Sequence, residues 1–215
     1  KANRDRLRDR MERGGEGFDN IAGMVGWENI IMSTLNTPAN KRFEGMTVQD
    51  IAKARGTDPV DCVCDMLIEE NCAITMIDFI TCEEDIARIL NCGFASVISD
   101  SIYPTSGRPH PRLYGTYARI IQRFVRERRD MTLEAAVKAM TYTPAKALNI
   151  ADRGLLKEGL CADVNVFDPA EVKERGSYAD PDKCAAGMDY VFVNGKPAIA
   201  AGELTGGAFG QVIRR

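Results

Sequence analysis

Histidine is nearly missing from this sequence: 215 residues hold one, His110, beside a single tryptophan, Trp27. One imidazole supplies too few ligands for a catalytic zinc site, so His110 reads as a structural residue or one that orients a neighbour. There is no block of lysine and arginine, and the formal net charge is −3. That balance argues against nucleic acid or an anionic membrane as the main partner. No apolar run reaches spanning length and no signal-peptide pattern is present, so the expectation is a soluble, cytoplasmic protein. None of the seven cysteines forms a C-x-x-C pair. Reduced thiols in a reducing compartment fit that spacing, and those from Cys62 to Cys92 read as small buried hydrophobes. An initial methionine is also lacking. The chain opens at Lys1 inside a charged helical segment that stops at Gly14-Gly15, which reads as a start partway through a fold.

What is present is ordinary globular material, 45% hydrophobic and 27% charged, enough for a substantial core in one or two domains. Residues 27–34 read as a strand ended by Asn36-Thr37-Pro38. Thr47, with Asp50 three residues on, opens a helix running to Gly56. Asp58-Pro59 starts a second helix, with Val60, Val63, Leu67 and Ile68 at helical spacing. A strand at residues 73–79, a helix whose first turn holds Glu83, Glu84 and Asp85, and a strand at residues 95–99 follow. That order is the rhythm of parallel βαβ units. Residues 114–129 read as an amphipathic helix with Ile120, Ile121, Phe124 and Val125 on one side and a solvated arginine-rich face on the other. Thr132 caps another helix, and a short one spans residues 143–150. From Ala151 the pattern turns to glycine turns and short strands, with a hairpin signal at Asn194-Gly195 and a glycine-rich tail.

Residues 94–115 order apolar and ionisable groups as a site requires. A β-branched run ends in Asp100, and a loop rich in Pro and Gly follows with His110 and two arginines. In a parallel α/β barrel, catalytic residues occupy the C-terminal ends of strands, the place Asp100 takes. The plainer reading is an aspartate capping a turn. Arg112 has two readings, a fork for a substrate carboxylate or a loop-ordering salt bridge. Tyr103 and Tyr114 read as pocket-lining or packing residues.

Ser99-Asp100, His110-Pro111-Arg112, Tyr114-Gly115-Thr116, Val125-Arg126-Glu127, Glu134-Ala135-Ala136-Val137, Met140-Thr141 and Pro144-Ala145 recur in order in one known group. So do Asp152-Arg153-Gly154, Gly159, Ala162-Asp163, Val166-Phe167-Asp168-Pro169 and Val193-Asn194-Gly195. In these the sequence resembles the metal-dependent amidohydrolase superfamily, and more closely its N-acyl-D-amino-acid deacylases. The resemblance implies an α/β fold: a partial (β/α)8 TIM-barrel (its last three strands and helices, strands six, seven and eight at Trp27, Ala73 and Ala95) over residues 1–150. Residues 151–215 would form part of a small β-sandwich. A complete barrel needs about 250 residues, more than precede Ala151.

The implied reaction is hydrolysis of an N-acyl-D-amino acid, with zinc polarising a water and Asp100 as general base, possible also as a zinc ligand. The remaining ligands would come from an absent N-terminal portion. Arg112, His110 and Tyr114 would contact substrate. The family usually has glycine after the catalytic aspartate, where Ser101 stands here. The expected partners are the small-molecule substrate and either that N-terminal portion or a second copy of the chain, which alone would be inactive. Alternatives are a hydantoinase-like cyclic amidase and a non-catalytic scaffold.

Overall fold

The structure is a computed structural model describing residues 2–14, 17–103 and 106–213. Gly15, the loop positions Pro104 and Thr105, and the last two arginines lie outside the described residues. The chain forms two compact units, one made of Lys1–Cys82, Ile102–His110 and Tyr178–Pro181, the other of the remainder.

The first unit contains α1 (Ala2–Arg13), α2 (Ile21–Val25), β1 (Ile30–Thr34), α3 (Val48–Arg55), α4 (Pro59–Glu69) and β2 (Thr75–Asp78). Its helices begin where the sequence caps them. The Thr47 hydroxyl accepts the Asp50 N–H at 3.1 Å and donates to the Asp50 carboxylate at 2.9 Å. Asp58 accepts the N–H groups of Val60 and Asp61, with Pro59 in the first turn. Gly56 ends α3 in the left-handed conformation. The core gathers Ile30, Met32, Leu35, Phe43, Val48, Ile51, Ala52, Cys62 and Met66. Burying a side chain such as Leu35 or Ile51 contributes about 1.5–3 kcal/mol. The arginines of α1 are engaged, with Arg4 bonding Asp61 and Asp65 and Arg8 bonding Asp58 and Asp61.

The strands depart from the expected rhythm. Residues 27–29 form a 3-10 turn ahead of β1. β1 and β2 pair antiparallel, with Ile30 opposite Asp78 and Met32 opposite Met76. One crossover helix reverses the chain once and delivers a parallel neighbour; α3 and α4 in series reverse it again. Residues 95–99, expected as a strand, carry no regular secondary structure and join no ladder among the described residues. Of the cysteines from 62 to 92, Cys62 alone is buried; Cys64 is half-buried and Cys72, Cys82 and Cys92 are exposed.

The second unit contains α5 (Glu83–Leu90), α6 (Arg112–Arg119), a π-helical continuation over Ile120–Glu127, α7 (Leu133–Met140) and α8 (Tyr142–Ala147). The Thr132 hydroxyl accepts the Ala135 N–H at 3.2 Å, as a cap. Ile120, Ile121 and Phe124 are buried, the expected apolar side. Strands β3 (Val164–Phe167), β4 (Met188–Val193), β5 (Lys196–Ala200) and β6 (Glu203–Leu204) form one antiparallel sheet in that order. Asn194 and Gly195, with φ of 51° and 77°, make the two-residue turn between β4 and β5. Among the described residues no helix is long and apolar enough to cross a membrane.

Candidate functional site

Asp100 follows a segment anchored at Val97. The Val97 side chain is buried in the cluster of Ala87, Ile120, Phe124, Met131, Ala136 and Ala139. Its N–H donates at 2.9 Å to the Ala139 carbonyl in the last turn of α7, where helical carbonyls lack partners of their own. Three residues on, Asp100 itself has a φ of 46°. Aspartate tolerates this left-handed conformation better than most residues. Ser101 does not carry the positive φ, so the glycine usual in the resembling family is not required at that position.

Asp100 meets Arg112, the first residue of α6: Nη2 lies 3.0 Å from Oδ2. Side-chain exposure is 40% for Arg112 and 73% for Asp100, so water screens the pair and it contributes at most about 1 kcal/mol. Backbone placement, rather than mutual attraction, therefore brings the two together. Tyr114, on the same helix, is partly exposed.

His110 belongs to the first unit. Its Nε2 lies 3.4 Å from the Tyr178 hydroxyl, with the rings edge to face at 5.2 Å, and Tyr178 meets Phe79 at 4.9 Å. The segment before it is tied to β1. The Arg108 N–H donates to the Ser33 carbonyl at 2.9 Å, the Ser33 hydroxyl to the Arg108 carbonyl at 2.5 Å, and the Thr34 hydroxyl to the Ser106 carbonyl at 3.3 Å. Gly107 permits this approach, because a Cβ there would fall 2.9 Å from the Ser33 carbonyl oxygen. Tyr103 is 77% exposed.

Two groupings were not foreseen from the sequence. Glu70, at the C-terminal cap of α4, is 2% exposed and accepts bonds from the N–H groups of Asn36 and Thr37, the Thr37 hydroxyl and the Asn40 amide. Burial pushes its carboxyl upward, and those bonds outweigh burial and hold it at about 2. The signal in the sequence was an acidic pair, Glu69-Glu70, at a helix C-terminus, where the dipole disfavours negative charge.

The other grouping is the arginine-rich face. Glu83 pairs with Arg119, Arg123 and Arg128, and Glu127 and Glu174 with Arg123 and Arg119. Glu83, Arg119, Gln122, Arg123, Glu127 and Glu174 line a polar groove of about 250 Å³, in which each charge faces an opposite one. Neither Asp100 nor Arg112 lines it.

Among the described residues, no group of three or more His, Cys, Asp or Glu side chains converges as a metal site requires. Asp100 faces the Arg112 guanidinium at 3.0 Å. By themselves the residues present do not fit a metal ion.

Comparison with known proteins shows the family. A model of the amidohydrolase family matches residues 36–199. N-acyl-D-glutamate deacylase of Alcaligenes xylosoxydans xylosoxydans is 38% identical over 165 residues, covering 77% of this chain and 32% of that protein. D-aminoacylase of the same organism is 36% identical over 173 residues, covering 80% and 34%. Among solved structures, a D-aminoacylase studied for the role of its binuclear metal center superposes with a TM-score of 0.80 at 31% identity, over 90% of this chain and 39% of that one. N-acyl-D-glutamate deacylase from Bordetella bronchiseptica, complexed with zinc and a phosphonate mimic of the tetrahedral intermediate, superposes at 0.79 with 34% identity, over 91% and 39%. The chain spans about a third of the length of the relatives it matches. With the match running from the loop after β1 to the end of β5, through Asp100 and Arg112, the chain belongs to the amidohydrolase family.

Proposed function

We propose that this chain is part of a zinc-dependent N-acyl-D-amino-acid deacylase, and that it contributes the acid–base carboxylate, Asp100, and the substrate-carboxylate fork, Arg112. The observation that carries the reading is the Asp100–Arg112 contact at the end of residues 95–99. The names of the relatives supply the substrate class. His110 and Tyr114 are proposed as substrate-side residues on the sequence resemblance.

The fold proposal keeps residues 1–150 as the C-terminal part of a (β/α)8 barrel, with residues 95–99 as its last strand. The antiparallel pairing of β1 and β2 departs from the parallel pairing expected of strands six and seven. Residues 151–215 are proposed as a segment of the small β-sandwich, supported by the β3–β6 sheet.

Hydrolysis of an amide needs two proton movements. The carboxylate of Asp100 takes a proton from the attacking water and passes it to the amide nitrogen as the C–N bond breaks, because an amine leaves poorly as an anion. A guanidinium has five N–H donors in a planar fork, enough to hold Asp100 and the carboxylate of an N-acyl amino acid together. Metal chemistry would have to be supplied by residues outside the described chain, which is why the 215 residues alone are proposed to be inactive.

Turnover of N-acetyl-D-glutamate and of hydantoins by this chain, alone and joined to a metal-binding N-terminal portion, tests the reading. The expected result is no activity alone, deacylation when joined, and loss of about 10²–10⁴-fold after Asp100→Asn. Zinc-dependent deacylation by the isolated chain, an Asp100→Asn enzyme within tenfold of the parent, or a preference for hydantoins would overturn it.

A further inference from the structure

We infer that Glu70 is a positioning residue, whose buried carboxylate sets the loop at residues 36–40 and, through Asn36 and the end of β1, the segment at residues 106–110 that presents His110. The functional side of this inference rests on the proposed substrate-side role of His110; the structural coupling does not.

The connection is continuous within the first unit. One oxygen of Glu70 accepts the Asn36 N–H at 2.5 Å and the Thr37 N–H at 3.1 Å, and the other accepts the Thr37 hydroxyl and the Asn40 amide at 2.9 Å. Asn36, so fixed, spends its side chain in two directions: its amide donates to the Ala73 carbonyl at 2.7 Å and its carbonyl accepts the Ser106 hydroxyl at 3.3 Å. Ser106 also accepts from Thr34 through its backbone carbonyl, and Arg108 exchanges two bonds with Ser33. The path from Glu70 to residues 106–108 therefore passes through a single side chain, Asn36, and through the last two residues of β1.

The place on the helix does not by itself favour a carboxylate here. At the end of α4 a negative charge opposes the helix dipole, and a well-packed neutral side chain at a buried position is often as stable as a charged one. What an ionised carboxylate provides is a set of short, directional bonds that fix backbone N–H groups in place. The groups it fixes begin two residues after β1, directly beside the strand residues that hold the 106–108 segment.

Hydrogen–deuterium exchange read by mass spectrometry on this chain tests the coupling without any need for activity. The comparison is wild type, Glu70→Gln, Asn36→Ala, and Asp65→Asn as a control, an α4 carboxylate that bonds Arg4. Expected for Glu70→Gln is faster exchange, by about tenfold or more, at both 36–40 and 106–110, with α3 and α4 within about twofold. Asn36→Ala, which leaves Glu70 intact, should still raise exchange at 106–110, and this variant serves if Glu70→Gln fails to fold. Unchanged exchange at 106–110 in both variants, or an equal rise throughout α3 and α4, would overturn the inference. In the joined enzyme, Glu70→Gln should raise KM for N-acetyl-D-glutamate by about tenfold with kcat within about twofold. A wild-type enzyme that shows the exchange pattern but no hydrolysis would sink the proposed function and leave the coupling standing.

Discussion

The Arg112 guanidinium meets the Asp100 carboxylate at 3.0 Å, and it does so at a residue whose backbone is left-handed, φ 46°. Because the pair is exposed, removing its charge changes stability by no more than about 1 kcal/mol. Asparagine tolerates the same backbone, so Asp100→Asn should melt close to wild type. Asp100→Val, which puts a β-branched side chain at positive φ, should lose about 1–2 kcal/mol. Thermal melts followed by circular dichroism check this; a large loss in the Asn variant would make Asp100 a structural residue.

Glu70 predicts an acid sensitivity. Its carboxyl is held at about 2 in the folded chain against an ordinary value of 4.5. A group whose folded value is lowered stabilises fully above its unfolded value and loses that stabilisation as the pH falls through the folded one. The window is therefore about pH 5 down to pH 2, and the amount is about 3 kcal/mol. Urea midpoints measured across that window should fall more steeply for wild type than for Glu70→Gln. Parallel lines would show that the carboxylate is not the source.

Around Glu83 the expectation concerns salt. Bonds from Arg123, opposed by burial and aided by the charges of Arg123, Arg119 and Arg128, hold its carboxyl below the usual range. Its place in the first turn of α5 also suits the helix dipole. Glu83→Gln should cost about 1 kcal/mol in dilute buffer, the partners being partly exposed. In about 1 M NaCl, where the screening length is about 3 Å, most of that deficit should disappear. A deficit independent of salt would point to packing instead.

Two glycines separate backbone strain from crowding. At Gly195, φ is 77° and the nearest atom to an added Cβ is Ala162 Cβ at 3.8 Å, so Gly195→Ala should cost only the conformational penalty, about 1–2 kcal/mol. At Gly107 the added Cβ would also meet the Thr34 hydroxyl at 2.6 Å and the Ser33 carbonyl at 2.9 Å. Gly107→Ala should therefore cost more, about 2–4 kcal/mol. Chemical denaturation of both variants checks the order.

Helices were legible in the sequence because their signals are local: Thr47, Thr132 and Pro59 mark their starts within three residues, and Asn194-Gly195 marks its turn by itself. Strand partners were less so. An apolar, β-branched run such as residues 95–99 reports that one face is buried, which Val97 bears out, but carries no information about which edge is paired. The direction of β2 depended on counting both helices after β1 rather than on the pattern of either strand. Arg123 and Glu83 lie 40 residues apart, so helical periodicity showed the arginines and not the acid that engages them. Asp100 and Arg112 were singled out from their loop chemistry, while their contact joins residues twelve apart and is not written in either motif.

The first compact unit is drawn from three separate stretches, the last of them Tyr178–Pro181. A ribosome adding about 5–20 residues per second will have made α1 to β2 well before it reaches Tyr178. During that interval Phe79 and, later, His110 wait for the ring that they contact in the finished chain. The order of synthesis thus makes the His110 surroundings a late event in folding, completed only after the helices of the second unit have been made.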